Sequence, residues 1–361
     1  MRKTKKIAAC GTVVTGAVCM ALGNSAYAQS SVTLYGVLDA SIMYTSKSLD
    51  PVTGQNAGKT IAFADAGRAA SRIGMQGSED LGGGLRALFT LESGIDTGTG
   101  GFNISNGNFF GRQAWVGLDS PYGTTKLGLQ YSPFVLAAIS LDPRGASLFG
   151  TSAVNYVDNV LGTGLFTPNA VSYTSPRIAG LQGRALLGLG NVAGSFNSGR
   201  IYSGSVDYQN GGLLIDAAIY DGNGGSSIIT PVPTTVEFEG RLIGAAYRFG
   251  PVTVKASFIN FKVAGSLNNN VYIGGLEFYP TPAVTLDAGV QYTRDCDDSA
   301  NHSILTSAGA EYALSKRTSL YAQVALVNNH GAMKTGLAVS GATFEPAGTA
   351  IGADVGIRHQ F

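Results

Sequence analysis

The stretch at residues 351–361 alternates between apolar and polar side chains. The apolar positions are Ile351, Ala353, Val355, Ile357 and Phe361, and the positions between them include Gly352, Asp354, Gly356, Arg358 and Gln360. Successive side chains on a strand point to opposite faces, so this pattern predicts a strand with one apolar and one hydrated face. A strand in this place presents an open edge that needs a partner. We predict that segment 32–44 is that partner and that the pairing closes a barrel.

The same alternation recurs in segments of roughly ten residues along the chain. The predicted strands are 32–44, 71–79, 85–92, 110–119, 124–131, 169–175, 181–189, 201–208, 213–220, 242–249, 252–258, 272–279, 284–292, 304–312, 320–327 and 351–361. Short turns alternate with longer loops between these segments. An even number of strands, with long loops at one end and short turns at the other, is typical of outer-membrane barrels. We therefore predict an all-β fold, a 16-stranded antiparallel transmembrane β-barrel.

The first 28 residues have the composition of a secretory signal peptide. A basic start is followed by a mostly apolar run at 7–22 and by the small-x-small site Ala26-Tyr27-Ala28. We predict a signal peptide over 1–28 and a barrel domain over 29–361. Within 29–361 no run of about 20 apolar residues predicts a transmembrane helix. The predicted export signal, the 51 glycines and the 13% charged residues of the whole chain fit a transmembrane barrel. In such a barrel only every second side chain of a strand faces lipid.

Charge and residue usage exclude several classes of function. Segment 29–361 carries 20 basic and 23 acidic residues, so nothing indicates a nucleic-acid partner. The three histidines have no metal-ligand spacing, and Cys296 is the only cysteine of that segment. We predict no catalytic site, no metal and no cofactor, and hence no enzyme.

Five stretches, in order along the chain, resemble the Gram-negative general porins, especially those of Neisseria and Burkholderia type. They are Ser-Val-Thr-Leu-Tyr-Gly-Val-Leu-Asp at 31–39, Ser-Arg-Ile-Gly-Met-Gln-Gly-Ser-Glu-Asp-Leu-Gly-Gly-Gly-Leu at 71–85, Phe-Gly-Arg-Gln-Ala-Trp-Val-Gly-Leu at 110–118, Asn-Ala-Val-Ser-Tyr-Thr-Ser-Pro at 169–176 and Val-Gly-Ile-Arg-His-Gln-Phe at 355–361. The resemblance implies a homotrimer in which a third external loop folds into each lumen. It also implies passive diffusion of small hydrophilic solutes through a channel in the outer membrane, among lipid and lipopolysaccharide. It further implies that Phe361 is a signal for the outer-membrane assembly machinery.

The unpatterned segment 132–168 falls where this family has its inward-folded loop. A long connection without its own pattern is usually functional or disordered. Its acids, Asp142 and Asp158, are candidates for the negative side of a pore constriction, and Arg144 lies beside one of them. Because the loop has only these two acids, we favour a weak preference for anions.

Three arginines are candidates for the basic side of the constriction. Arg72 and Arg86 lie on the polar faces of their strands, and a lipid-facing arginine at the bilayer midplane would cost about 2–4 kcal/mol. Arg112 matches the family's Phe-x-Arg position by resemblance. Further charged side chains are predicted to line the lumen: Asp39, Glu92, Lys126, Arg184 and Arg358. The alternatives are a substrate-specific channel and a surface adhesin or receptor barrel that binds partners through loops 222–238 and 328–348.

Overall fold

Antiparallel strands make up most of the computed structural model, which describes residues 31–160, 165–225 and 237–361. The predicted signal peptide, 1–28, lies outside the described residues. The strands are β1 Ser31–Thr45, β2 Thr60–Asp65, β3 Arg72–Gly82, β4 Leu85–Gly94, β5 Gln113–Ser120, β6 Gly123–Tyr131, β7 Phe166–Thr174, β8 Leu181–Gly188, β9 Ile201–Asn210, β10 Leu213–Gly222, β11 Phe238–Phe249, β12 Val252–Val263, β13 Leu267–Thr281, β14 Val284–Asp295, β15 His302–Ala313, β16 Thr318–His330, β17 Thr335–Ala338, β18 Ala342–Phe344 and β19 Gly348–Gln360. The helices are α1 Pro133–Leu141 and α2 Ser152–Val160. Neither helix is long and apolar enough to cross a membrane.

The strands close into one barrel. Each pairs antiparallel with its neighbours, and β2 and β3 share the same side of β1, so the 17 strands of the sheet occupy 16 positions in the wall. The seam lies between β1 and β19, where Val37 stands opposite Gln360 and Thr45 opposite Gly352. This confirms the 16-stranded barrel and the predicted partner of segment 351–361.

The end of the seam is covered by an aromatic ring. Gly36 and Phe361 exchange both backbone hydrogen bonds at 3.1 Å. The ring of Phe361 lies directly over Gly36, in the space that a Cβ atom there would occupy. An aromatic ring over a strand glycine replaces the packing that the glycine lacks. Phe361 is therefore packed against the first strand of the barrel.

The two faces of the wall differ in exposure as the alternation predicts. On β16, outward Val324 is 56% exposed, whereas its inward neighbour Gln323 is 2% exposed. On β19, outward Val355 is 55% exposed and inward Asp354 is 1% exposed. The apolar side chains thus face lipid, and the polar ones face the lumen or the loops that fill it.

Three features of the wall and loops differ from the predicted strand pattern. The second wall position is interrupted: β2 was not predicted, and residues 66–71 separate it from β3. The predicted loop 328–348 contains the hairpin of β17 and β18. Several strands also extend beyond their predicted ends towards the long loops, as β13 does through Asn268 and Asn270. The strand β2, the hairpin and the strand extensions all lie at the long-loop end of the barrel, where loops fill the lumen.

Candidate pore constriction

The segment that follows β6 folds into the lumen and packs against one wall. The Oγ of Ser132 caps α1 by accepting a hydrogen bond from the Val135 N–H at 3.3 Å, and Pro133 starts the helix. The buried cluster joins Phe134, Val135, Ala137, Ala138, Leu141 and Tyr156 of the loop to Ala218, Tyr220, Phe238, Leu242, Ile259, Phe261, Val263, Val271 and Ile273 of the wall. Removing this apolar surface from water holds the loop inside the barrel. The inward-folded loop is confirmed.

Asp142 lies inside the bend that connects α1 to α2. Its carboxylate accepts hydrogen bonds from the N–H groups of Arg144 at 2.7 Å, Ala146 at 2.9 Å and Ser152 at 2.8 Å, and from the Ser152 hydroxyl. Only 1% of the residue is exposed. The Asp142 carboxylate therefore binds the backbone N–H groups of the bend and does not face the water-filled lumen. The side chain of Asp158 lies outside the described residues.

Arg144 attaches the tip of the loop to the far wall. Its Nε donates to Asp287 Oδ1 at 2.6 Å, and its two Nη atoms donate to Phe149 O at 2.7 Å and to Gln323 Oε1 at 2.8 Å. Arg144 and Asp287 are each 1% exposed. Their buried, hydrogen-bonded pair fixes the position of the loop across the lumen.

The interruption between β2 and β3 also enters the lumen. Asp39, which is fully buried, accepts hydrogen bonds from the N–H groups of Arg68 at 3.4 Å and Ala69 at 2.8 Å, and so holds the interruption in place. The Arg68 guanidinium contacts Glu311 at 2.6 Å through Nε and Asp287 at 3.0 Å through Nη2. Arg68 was not among the predicted site residues, because it falls in an unpatterned stretch between strands.

Arg72 and Arg112, two of the predicted arginines, meet at Glu92. Arg112 Nε lies 2.7 Å from one carboxylate oxygen of Glu92, and Arg72 Nε lies 3.5 Å from the other. The hydroxyl of Tyr35 also donates to Glu92, at 2.9 Å, and Arg112 donates to the Tyr131 hydroxyl at 2.8 Å. The side chain of Arg72 is 29% exposed and that of Arg112 is 5% exposed, so Arg72 is the one in contact with water.

Of the remaining predicted residues, Arg86, Lys126 and Arg184 lie elsewhere in the lumen, whereas Arg358 lines the same cavity as Arg72 and Arg112. Arg86 is 55% exposed and pairs with Asp119 at the short-turn end, away from the loop. Lys126 lies over the Trp115 ring at 4.1 Å. Arg184 pairs with Asp207 at 2.7 Å, and Arg358 pairs with Glu311. Of the three predicted constriction arginines, Arg72 and Arg112 therefore lie together, and Arg86 lies apart from them.

The hairpin of β17 and β18 closes over the loop from the long-loop end. The Gly150 N–H donates to Leu337 O and the Val339 N–H donates to Leu148 O, both at 2.8 Å. Glu345, between this hairpin and β19, is 1% exposed, and burial raises its pKa to about 7, an effect that Lys47 partly offsets. The loop that forms the constriction is thus held by a second loop as well as by the wall.

The open part of the lumen at this level is a cavity of about 640 Å³ with more positive than negative side chains. The charged residues that line it are Arg68, Arg72, Arg112, Arg144, Arg358, Glu92, Glu277 and Glu311. Arginine remains ionised at any relevant pH, so this charge is permanent. Within the described residues no group of three or more His, Cys, Asp or Glu side chains could hold a metal ion.

A closed barrel with a lipid-facing apolar surface and a charged, loop-narrowed lumen defines an outer-membrane channel protein. The profile of the family described as Gram-negative porin matches residues 15–332. The chain belongs to the Gram-negative porin family, and its place is the outer membrane. It forms a water-filled channel for passive transport of small hydrophilic solutes, and the family and the fold indicate a channel rather than an enzyme.

Individual porins are similar to this chain over most of its length. Outer membrane porin protein 32 of Delftia acidovorans is 29% identical, over 95% of this chain and 97% of the relative. Major outer membrane protein P.IB of Neisseria gonorrhoeae is 29% identical, over 81% of this chain and 87% of the relative. The solved structure of the anion-selective porin from Comamonas acidovorans is 26% identical, with a TM-score of 0.78 over 92% of this chain and all of that one. The structural similarity agrees with the 16-stranded barrel.

Proposed function

We propose that this porin is a general-diffusion channel with a preference for anions. The observation that carries the proposal is the surplus of arginine in two clusters at the constriction. In the first cluster Arg72 and Arg112 share the single carboxylate of Glu92. The cluster therefore retains one unbalanced positive charge beside the water-filled cavity.

The second cluster has the same surplus. It joins Arg68, Arg144 and Arg358 to the two carboxylates of Asp287 and Glu311. Lys255 and Glu277 balance each other at 3.4 Å. Fixed positive charge that lines a narrow aqueous path lowers the free energy of an anion there and raises that of a cation. The similarity to an anion-selective porin from Comamonas acidovorans supports the same preference.

We also propose that the protein works as a homotrimer, as the family resemblance implies, and that the assembly machinery recognises Phe361. Single-channel recording in a planar bilayer tests the oligomeric state: conductance is expected to rise in sets of three equal steps. Insertions that give one step each would contradict the trimer and leave the selectivity proposal intact.

Replacing Arg72 by glutamine tests the role of the constriction charge. Arg72 is the water-exposed member of its cluster, so Arg72→Gln is expected to shift the zero-current potential towards the value for a non-selective pore. Arg86→Gln is the matched control, because Arg86 lies on the neighbouring strand but at the short-turn end. An equal shift in both variants, or no shift in Arg72→Gln, would remove Arg72 from the selectivity-determining set.

A further inference from the structure

A row of outward-facing polar side chains crosses five neighbouring strands near the long-loop end. The row consists of Asn260 on β12, Asn270 on β13, Arg294 on β14, His302 on β15 and His330 on β16. Each member stands directly opposite the next in the strand register. Directly opposed residues on one face have Cβ atoms about 4.5–5.5 Å apart. The five side chains therefore form one continuous line on the outer surface.

The row lies just beyond the membrane-facing aromatic band. On β12, β13 and β14, the residue two positions closer to the middle of the strand is aromatic: Phe258, Tyr272 and Tyr292. Their rings follow one another, with centroids 5.2 Å and 6.2 Å apart. Tyr272 is 49% exposed. Aromatic side chains of this kind mark the boundary between hydrocarbon and headgroups. The polar row therefore lies at headgroup level in the outer leaflet.

The chemistry of the row is that of an anion site. The row contains no carboxylate, and within the described part of the chain Arg294 forms no ion pair. The rings of His302 and His330 stack with centroids 4.4 Å apart and planes 12° apart. His302 stands directly opposite Arg294 in the strand register, so the stacked imidazoles and the Arg294 side chain share one end of the row. Guanidinium and imidazole donors suit a phosphate group.

On β11, next to the Asn260 end of the row, the outward basic side chain is paired with acids. Arg241 on β11 stands opposite Asn260, but its guanidinium lies 3.6 Å from the carboxylates of both Asp221 and Glu239. That arginine is balanced by acids of its own strand and the strand beside it. The donors that form no ion pair in the described part of the chain lie at the other end of the row, at Arg294, His302 and His330.

We propose that Arg294, His302 and His330 bind a phosphate group of the lipopolysaccharide in the outer leaflet. The site faces lipid and not the lumen, so its occupant is a membrane lipid rather than a solute in transit. The adjoining aromatic band contacts the acyl region of the same lipid, so the headgroup and the chains are held by continuous surface. This binding is independent of the proposed preference for anions in the pore.

The test uses the purified, folded full-length porin in detergent and measures retention of native lipopolysaccharide and of the same lipopolysaccharide after enzymatic dephosphorylation. The variant is Arg294→Gln/His330→Gln. The matched control is Lys316→Gln/Arg317→Gln, which removes two exposed basic side chains from the turn between β15 and β16 at the opposite end of the barrel. Bilayer conductance verifies that each variant is folded. If the double variant fails this check, Arg294→Gln alone is used, because it leaves the ring stack intact.

The site variant is expected to bind native lipopolysaccharide about tenfold more weakly than the unaltered protein, with unchanged conductance. The control variant is expected to bind like the unaltered protein, and dephosphorylated lipopolysaccharide is expected to bind equally weakly to all three. Undiminished binding by the site variant would overturn the proposal. So would an equal loss in the control variant, or tight binding of the dephosphorylated glycolipid to the unaltered protein.

Discussion

The attachment of the constriction loop to the far wall depends on the buried charges around Asp287. This carboxylate has two arginine partners, Arg144 Nε at 2.6 Å and Arg68 Nη2 at 3.0 Å. Replacing Arg144 by methionine leaves the carboxylate paired with Arg68, whereas replacing Asp287 by asparagine leaves Arg144 without any carboxylate. Breaking a buried ion pair costs about 3–5 kcal/mol. We expect Arg144→Met near the lower limit of this range and Asp287→Asn near the upper limit.

Single-channel recording is the assay, because a detached loop tip widens the pore. A cost of about 3 kcal/mol corresponds to roughly a hundredfold larger population of the detached state. Arg144→Met is therefore expected to show frequent excursions to higher conductance, and Asp287→Asn is expected to show more of them. The apolar cluster around Phe134 continues to hold α1, so the excursions are expected to be partial and reversible.

Arg177→Met is the matched control for this prediction. Arg177 also shares a buried aspartate, Asp207, with a second arginine, Arg184, but it lies at the short-turn end and is 33% exposed. Its loss is expected to cost less than about 1 kcal/mol and to leave the conductance unchanged. The reasoning is refuted if Arg144→Met conducts like the unaltered protein, or if Asp287→Asn disturbs the pore less than Arg144→Met does.

Three further perturbations test other parts of the structure. Deleting Phe361 exposes Gly36 and is expected to lower the amount of protein in the outer membrane far more than it changes the conductance; unaltered membrane levels would contradict this. Phe134→Ala is expected to cost about 3–5 kcal/mol and to lower the urea midpoint of unfolding in lipid vesicles, whereas Leu136→Ala, a 40% exposed position on the same helix, is expected to have little effect. Burial raises the pKa of Glu345 from 4.5 to about 7. Between pH 4.5 and 7 the folded loop therefore binds more protons than the unfolded loop, and its stability is expected to fall as the pH rises through this range. Hydrogen exchange of segment 331–347 measures this change, and Glu345→Gln is expected to abolish the pH dependence.

The wall of the barrel was predictable because lipid imposes a local rule on every strand. An outward residue must be apolar and its neighbours can be polar, so Val324 and Gln323 reveal their faces from sequence alone. The seam of β1 and β19 follows from the same rule together with closure. Strand ends beyond the hydrocarbon were less predictable: Asn268 and Asn270 resemble turn residues, although they continue β13.

The contacts inside the lumen were not predictable because they join distant parts of the chain. Arg144 and Asp287 are 143 residues apart, and nothing local to either position indicates the other. Arg68 enters the lumen because Asp39 holds the interruption between β2 and β3, a backbone path that no alternation encodes. Asp142 was predicted to face the pore, but a carboxylate near loop N–H groups also suits a tight bend, and sequence does not distinguish these roles.

The most direct test of the charge surplus at the constriction is the zero-current potential of the unaltered porin in a potassium chloride gradient. The two clusters around Glu92 and Asp287 each retain one unbalanced arginine. The potential is therefore predicted to have the sign of chloride permeating faster than potassium. A potential of zero, or one with the sign of potassium permeating faster, would contradict the account.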